Sequence, residues 1–188
     1  MKGSWDDTFK ERLVIAISGL HGTGKSTQAK RLAEAFGLRY VSIGTIFRRM
    51  SEERGLSPEE MSRIAEEDPE IDRSLDERTK AESSSGGVVI DATLSGWMAK
   101  NAHIKIMLTA PLDARLMRIA VRDRITLDEA REKTILREHS ERERFKRFYG
   151  INVSDLSIYD VVINTELFDP SGTARILKRV VEEYCSGR

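Results

Sequence analysis

Cysteine is nearly absent from the sequence, since Cys185 is the only one among 188 residues. A single thiol can form neither an internal disulfide nor a cysteine-based zinc site, and it is typical of a reducing compartment. Net charge is absent too, because 31 Lys and Arg residues balance 31 Asp and Glu residues. No overall attraction to nucleic acid or to an anionic membrane is therefore expected, and any basic site must be local.

Long apolar runs are also missing, and none approaches the ~20 residues that a membrane-spanning helix needs. Residues 1–12 are polar and of mixed charge, which is not typical of a secretion signal. We therefore predict a cytoplasmic protein without a membrane or nucleic-acid partner. The length fits one domain, 1–188, with one core, and we expect a monomer.

Short apolar runs alternate with amphipathic stretches along the chain. Five runs predict buried strands, at 13–17, 40–43, 88–90, 104–108 and 161–163. This alternation predicts an α/β fold with a five-stranded parallel sheet and helices on both faces. Two charged segments, 45–86 and 126–150, are too long for simple crossovers and are interpreted as helical excursions. Ser57 and Asp68, each followed by proline, predict two helix starts within the first segment.

The strongest motif is the stretch Gly19-Leu20-His21-Gly22-Thr23-Gly24-Lys25-Ser26, which follows the first predicted strand and opens a predicted helix. Such glycines let backbone N–H groups approach phosphates, and the helix N-terminus adds positive potential. Lys25 is expected to bridge the β- and γ-phosphates, and the Ser26 hydroxyl to bind Mg²⁺. We therefore predict a P-loop NTP-binding fold that binds ATP and Mg²⁺ through Gly19, Gly22, Thr23, Gly24, Lys25, Ser26 and Thr27.

The ends of the other predicted strands supply further candidates, because doubly wound sheets bind ligands beyond the carboxyl ends of their strands. Ser42 lies near the end of the second run, and Arg48 and Arg49 follow it. These residues could hold the phosphate of a second substrate, the alternative for the arginines, and more so for Arg49, being a solvated helix face. Asp91 follows the third run, where a carboxylate could bind the substrate or hold Mg²⁺ together with Ser26. The alternative for Asp91 is a buried structural role.

Arginines are concentrated near the end of the second excursion. Arg137 and Arg144 fall on one helical face, and Arg142 lies to its side. Phosphoryl transfer needs cations around the transferred group, and Arg supplies planar, bidentate donors. We therefore predict that Arg137, Arg142 and Arg144 are catalytic residues on a mobile lid, the alternative being a solvated charged face.

Several stretches together resemble the small cytidylate kinases typical of archaea, over nearly the whole chain. Besides the phosphate loop they are Ser42-Ile43-Gly44-Thr45-Ile46-Phe47-Arg48, Ala65-Glu66-Glu67-Asp68-Pro69-Glu70-Ile71-Asp72-Arg73, Leu94-Ser95-Gly96-Trp97-Met98, Arg137-Glu138-His139-Ser140-Glu141-Arg142, Tyr149-Gly150-Ile151-Asn152 and Asp155-Leu156-Ser157-Ile158-Tyr159-Asp160.

The resemblance implies an excursion that binds the nucleoside monophosphate (NMP) at 45–86 and a lid at 137–152. It also implies transfer of the γ-phosphate of ATP to CMP or dCMP, with small nucleotides as the partners. Bacterial relatives carry an Arg-x3-Asp-x2-Arg pattern that handles the nucleotide. Arg137, Glu141 and Arg144 match its spacing, which makes Glu141 a candidate substrate-binding residue.

The chain departs from the family pattern at three places. Lys25 stands where the archaeal loop often has Thr, and Thr45 stands where the family usually has Asp. The family's Glu-Gly-Arg is replaced by Asp91-Ala92-Thr93, which removes an arginine expected to hold the acceptor phosphate. Arg48 or Arg49 could take over that contact.

Other functions remain open at this point. The acceptor could be AMP, UMP or another small phosphate acceptor, since the arginines do not identify the base. The chain could also be an ATP-dependent switch or assembly factor, although it has no Asn-Lys-x-Asp guanine motif.

Overall fold

A single parallel sheet organises the part of the chain that the computed structural model describes, residues 7–187. Its strands are β1 (Val14–Gly19), β2 (Arg39–Ser42), β3 (Val88–Asp91), β4 (Ile104–Thr109) and β5 (Val161–Asn164). All neighbours pair in parallel, in the order β2-β3-β1-β4-β5. The predicted five-stranded parallel sheet is confirmed, and each strand end lies within two residues of its predicted position.

Helices precede, connect and follow the strands. They are α1 (Asp7–Arg12), α2 (Lys25–Phe36), α3 (Ile43–Glu53), α4 (Pro58–Glu67), α5 (Pro69–Ser85), α6 (Ser95–Met98), α7 (Leu112–Asp123), α8 (Leu127–Tyr149) and α9 (Pro170–Ser186). The first charged excursion contains α3, α4 and α5, and the second is the single helix α8. That these segments act as an NMP-binding segment and a lid stays a prediction. Residues 1–6 of the polar N-terminus lie outside the described residues, and no described helix is long and apolar enough to cross a membrane.

Local capping explains where the helices of the excursions begin. Ser57 accepts a hydrogen bond from the Glu60 backbone N–H, and the Glu60 side chain accepts one from the Ser57 backbone, which forms a capping box for α4. Asp68 caps α5 in a similar way through the Glu70 N–H. Both predicted helix starts are therefore confirmed.

The strand β1 is buried on both faces of the sheet. Ile15 packs with Leu32 of α2 and Leu177 of α9 on one face. On the other face Val14 packs with Phe47 of α3 in a second cluster, to which α4 and α5 also contribute. Since successive side chains of a strand point to opposite faces, this arrangement explains why the strand sequence is apolar without alternation.

The position of β1 also determines where a ligand can bind. It lies at the centre of the sheet, between β3 and β4. The connection from β1 runs to the edge strand β2, whereas the connection from β3 crosses to β4 on the other side of β1. Such a reversal of strand order opens a crevice beyond the carboxyl ends of the strands. The loop between β1 and α2, which carries the phosphate-binding motif, lies at that crevice.

Candidate active site

The phosphate loop takes its shape from glycines with left-handed backbone conformations. Gly22 has φ +79° and Gly24 has φ +88°. A Cβ at Gly22 would lie 2.6 Å from the Arg115 carbonyl oxygen, whereas a Cβ at Gly24 would meet nothing within 4 Å. Gly22 thus packs against α7, while the space above Gly24 is open for a ligand. Gly19 lies beneath the loop, where a Cβ would come within 2.4 Å of the Leu108 carbonyl oxygen of β4.

Lys25 opens α2 at the edge of this space. Its Nζ donates a hydrogen bond to the Leu20 carbonyl oxygen at 2.9 Å. Burial lowers the pKa of Lys25, and the carboxylates of Asp91 and Glu141 oppose that effect. An ammonium group has three donors, so two remain for phosphate oxygens.

Asp91, at the end of β3, binds three hydroxyl groups that come from α2 and β2. Its Oδ2 accepts hydrogen bonds from Ser26 Oγ at 2.6 Å, Tyr40 Oη at 3.2 Å and Ser42 Oγ at 3.2 Å. The Asp91 residue is 2% exposed. The structure thus brings the predicted residues Ser26, Ser42 and Asp91 together, and it adds Tyr40, which the sequence pattern did not reveal.

The donor set around Ser26 fits Mg²⁺ bound together with a nucleotide. Among residues 7–187, no group of three or more His, Cys, Asp or Glu side chains is arranged to hold a metal ion. Mg²⁺ usually keeps several waters and takes one or two protein ligands plus phosphate oxygens in such sites. The Ser26 hydroxyl and the Asp91 carboxylate supply two oxygen ligands beside the phosphate loop.

One cavity of about 950 Å³ joins the phosphate loop to the helices of the first excursion. The loop lines it together with Thr27, and Asp72, Asp76 and Thr79 of α5 line another part of its wall. A volume of this size is at the upper end of the range for small-molecule sites. The predicted Arg48, Arg137 and Glu141 also line the cavity, as does Thr93.

Guanidinium groups from three helices gather around this cavity. Arg48 of α3 donates to Thr45 Oγ1 at 3.1 Å. Burial and then the like charges of Arg122 and Arg137 lower the pKa of Arg48. Cations held this close are suited to a polyanionic ligand. Arg49, in contrast, is exposed and pairs with Glu53.

Arg137 is held in place on α8 by two contacts. Its Nε donates to Glu141 Oε1 at 3.0 Å, and its guanidinium lies 5.1 Å from the centre of the Phe47 ring. Although burial raises the pKa of Glu141, His21 and Arg137 lower it well below its usual range. Glu141 is therefore a charged anchor for Arg137 beside the phosphate loop.

Arg144 does not lie on a solvated face, so the alternative given for it in the sequence analysis is wrong. Its side chain is 2% exposed, and its Nε donates to Asp72 Oδ2 at 2.7 Å. Its Nη1 donates to Ser62 and Ser140, so that Arg144 joins α8 to α4 and α5.

Arg142 lies apart from the other two predicted arginines of α8. Its side chain is exposed and does not line the cavity, because it projects from a different side of α8 than Arg137 and Arg144. The structure thus places Arg142 away from the cavity, and its catalytic role stays a prediction.

Comparison with known proteins agrees with this geometry. A family model described as an AAA domain matches residues 18–151, from the end of β1 to just beyond α8. The cytidylate kinase of Staphylothermus marinus is 50% identical over 173 residues, which cover 92% of this chain and 98% of the relative. That of Pyrococcus horikoshii is 46% identical over 173 residues, covering 92% and 90%. The chain belongs to the cytidylate kinase family.

A solved structure of a different kinase shares the fold. The shikimate kinase of Acinetobacter baumannii, in complex with shikimate, has a TM-score of 0.57 at 19% identity, and the match covers 95% of this chain and 98% of that one. At this identity the likeness shows the fold alone. It confirms the P-loop kinase architecture of this member of the cytidylate kinase family.

In this member of the family the phosphate loop is also tied to the two helices behind it. The His21 backbone N–H donates to Glu138 Oε1 at 3.1 Å, and His21 Nε2 lies 3.0 Å from Glu141 Oε2. Arg115 of α7 donates to Glu138 Oε1 at 2.5 Å and to the His21 carbonyl oxygen at 2.9 Å. Burial lowers the pKa of His21 despite the neighbouring Glu141. We refer to His21, Arg115, Glu138 and Glu141 as the loop anchor.

Arg118 provides a further tie that the sequence pattern did not reveal. It donates to the Gly22 carbonyl oxygen at 3.2 Å and to Thr165 Oγ1 at 2.9 Å, so it links the phosphate loop to the end of β5. Arg115, Arg118 and Arg122 are spaced by three and four residues in the helix that follows β4. That spacing places them on one helical face and was the signal that could have found them.

Proposed function

We propose that the protein transfers the γ-phosphoryl group of ATP to CMP or dCMP, with Mg²⁺ as cofactor. A phosphate oxygen of the acceptor bonds to the γ-phosphorus as the bond from that phosphorus to the bridging oxygen of ADP breaks, giving ADP and CDP. The observation that supports this most strongly is one continuous cavity that joins a complete phosphate loop to a second, polar wall on α5. The identity of 46–50% with cytidylate kinases supports the choice of acceptor.

The residues of the loop would bind and orient the donor nucleotide. The backbone N–H groups at the start of α2 and the Lys25 ammonium point toward the space where the β- and γ-phosphates fit. Arg137, anchored by Glu141, adds a planar cation for charge that spreads over the transferred group. Mg²⁺, held by Ser26 and Asp91, would neutralise phosphate charge when it is bound with the nucleotide.

Arg48 is the candidate for binding the acceptor phosphate, because Thr93 stands where the family usually has an arginine. It lines the cavity beside Thr45, whereas its neighbour Arg49 is exposed and pairs with Glu53. Arg48→Ala should therefore raise KM for CMP at least about tenfold, since a charge-assisted bond contributes roughly 1.5–3 kcal/mol. Arg49→Ala is the matched control and should leave KM unchanged. Equal effects of the two substitutions would contradict this assignment.

A panel of acceptors tests the proposed activity directly. Release of ADP from ATP and Mg²⁺ is measured with CMP, dCMP, UMP or AMP, and without an acceptor. ADP release that depends on CMP or dCMP supports the proposal. Release that needs AMP instead would indicate another monophosphate kinase, and release without any acceptor would indicate an ATP-dependent switch.

We further propose that the protein acts as a monomer in the cytoplasm, with small nucleotides as its partners. The phosphate loop and the polar wall on α5 line one continuous cavity within the chain, which supports this proposal.

A further inference from the structure

The helix α5 presents three polar side chains to the cavity at intervals of four and three residues, Asp72, Asp76 and Thr79. Both oxygens of Asp72 accept hydrogen bonds from Arg144, and Thr79 Oγ1 donates to the Leu75 carbonyl oxygen. Asp76 differs from these two residues. It is 8% exposed, and its Oδ2 is a buried atom without a hydrogen-bond partner among the described residues.

An unpartnered carboxylate oxygen in a buried position calls for an explanation, because nearly all buried polar groups in native proteins are hydrogen-bonded. Burial raises the pKa of Asp76 to about 6. This effect outweighs that of the nearby Tyr149 hydroxyl, which lowers the pKa. The charged groups around Asp76 are Asp72, Glu77 and Lys80 of the same helix. Arg144 of α8 donates its hydrogen bonds to Asp72 instead of Asp76. At neutral pH, Asp76 is therefore mostly ionised, and its Oδ2 is an unsatisfied acceptor on a residue that lines the cavity.

We propose that Asp76 Oδ2 accepts a hydrogen bond from the exocyclic amino group of cytosine, and so distinguishes CMP and dCMP from UMP. Cytosine carries an amino donor at the position where uracil carries a carbonyl oxygen. A carboxylate stabilises the donor and repels the carbonyl oxygen, so one side chain provides both parts of the discrimination. This inference rests on the proposed function, since it concerns the acceptor of that same site.

The test compares CMP with UMP in wild type, Asp76→Asn and Asp76→Leu. At pH 8 the wild-type ratio of kcat/KM for CMP over UMP should exceed about tenfold, as expected when the wrong substrate leaves a buried polar group unpaired. Asp76→Asn should lower that ratio at least about tenfold, because an amide can accept from cytosine or donate to uracil. Asp76→Leu should lower kcat/KM for CMP without raising kcat/KM for UMP. KM for ATP should stay unchanged in both variants.

The matched control is Glu77→Gln, one residue along on the exposed face of α5, where Glu77 pairs with Lys80. It should leave the ratio of CMP to UMP unchanged. The pH dependence of the ratio of CMP to UMP is a further test, because a purely structural role of Asp76 would not make this ratio change with pH. Protonated Asp76 can donate to the uracil carbonyl oxygen, so the wild-type ratio should fall as the pH drops through about 6, and the Asp76→Asn ratio should stay flat. The acceptor phosphate titrates equally in both substrates and cancels in the ratio.

Calorimetric titration of CMP and UMP separates this inference from the proposed function. CMP binding that is preferred over UMP binding and needs Asp76 supports the inference, even if no phosphoryl transfer follows. A folded Asp76→Asn protein with an unchanged preference, in binding or in turnover, overturns the inference and leaves the kinase proposal standing. A wild type that neither binds CMP nor turns it over overturns both.

Discussion

At the scale of single residues, Lys25 offers the sharpest separation of activity from stability. Its ammonium donates to the Leu20 carbonyl oxygen, but that oxygen also accepts from Thr23 Oγ1. Lys25→Ala should therefore keep the loop folded while turnover falls about 10²–10³-fold, the usual cost of removing a donor where negative charge develops. The measurement is kcat beside the free energy of unfolding in urea.

A lysine outside the site controls for the loss of charge. Lys178 on α9 pairs only weakly with Glu182 at 3.6 Å, and Lys178→Ala should change neither quantity. Turnover of Lys25→Ala close to that of wild type would contradict the assigned role of Lys25.

Asp76 predicts a pH-dependent stability. Its pKa of about 6 in the folded protein lies above the value of about 3.9 expected in the unfolded chain. The folded state therefore binds the extra proton, and stability is lost as the pH rises from about 4 through about 6. Asp76→Asn should remove this loss. The free energy of unfolding of the variant, relative to that of wild type at the same pH, should therefore rise by roughly 2–3 kcal/mol between about pH 4 and pH 7. Parallel pH profiles of the two proteins would contradict it.

At the scale of elements, substitutions of three of the five arginines of α8 should have different effects. Arg144→Ala leaves Asp72 buried without its partner and should cost about 3–5 kcal/mol of stability. Arg137→Ala should lower turnover with a stability cost of about 1 kcal/mol or less, since Glu141 keeps His21 as a partner. Arg142→Ala should change neither. Thermal melts and kcat for the three variants, measured together, test this, and a catalytic loss in Arg142→Ala would restore it to the site.

The elements also show why parts of the site could be predicted from the sequence. Lys25 and Ser26 belong to the phosphate-loop motif, and Asp91 directly follows an apolar run. A parallel sheet brings its strand ends to one edge. Helical spacing predicts that Arg137 and Arg144 share a face, but not what that face meets. The partners Asp72 and Arg144 are 72 positions apart, and the residues of the loop anchor come from three elements. Such pairings depend on packing between helices, on which one sequence gives no information.

At the scale of the whole molecule, the single cavity predicts the kinetic order of the reaction. The phosphate loop and the α5 wall line the same cavity of about 950 Å³, which is near the upper end of the range for small-molecule sites. Both nucleotides should therefore be bound before transfer, because direct transfer needs the reacting atoms held about 3–3.5 Å apart. Initial rates measured against ATP at several CMP concentrations should give intersecting double-reciprocal lines. Parallel lines, the pattern of a covalent phosphoenzyme, would contradict this.

The architecture as a whole followed from the sequence more fully than the site did. Five apolar runs and one phosphate loop were sufficient to predict the parallel sheet, because buried strands have a strong and local pattern. The four-residue helix α6 and the N-terminal helix α1 were not predicted. Both are too short for helical periodicity to show, and their packing against the sheet decides their conformation.

The ion pair between Arg144 and Asp72 joins α8 to α5, and both helices line the same cavity. Under the proposed function, these two helices would part when the product leaves. When the two helices part, both charges return to water. When the helices stay together, the ion pair stabilises the fold at high temperature, because the cost of removing such charges from water falls as the temperature rises. Rapid product exit and heat resistance thus make opposite demands on the same two side chains. Natural selection for either property in this lineage would be expected to act on this pair, and a variant that gains one should lose part of the other.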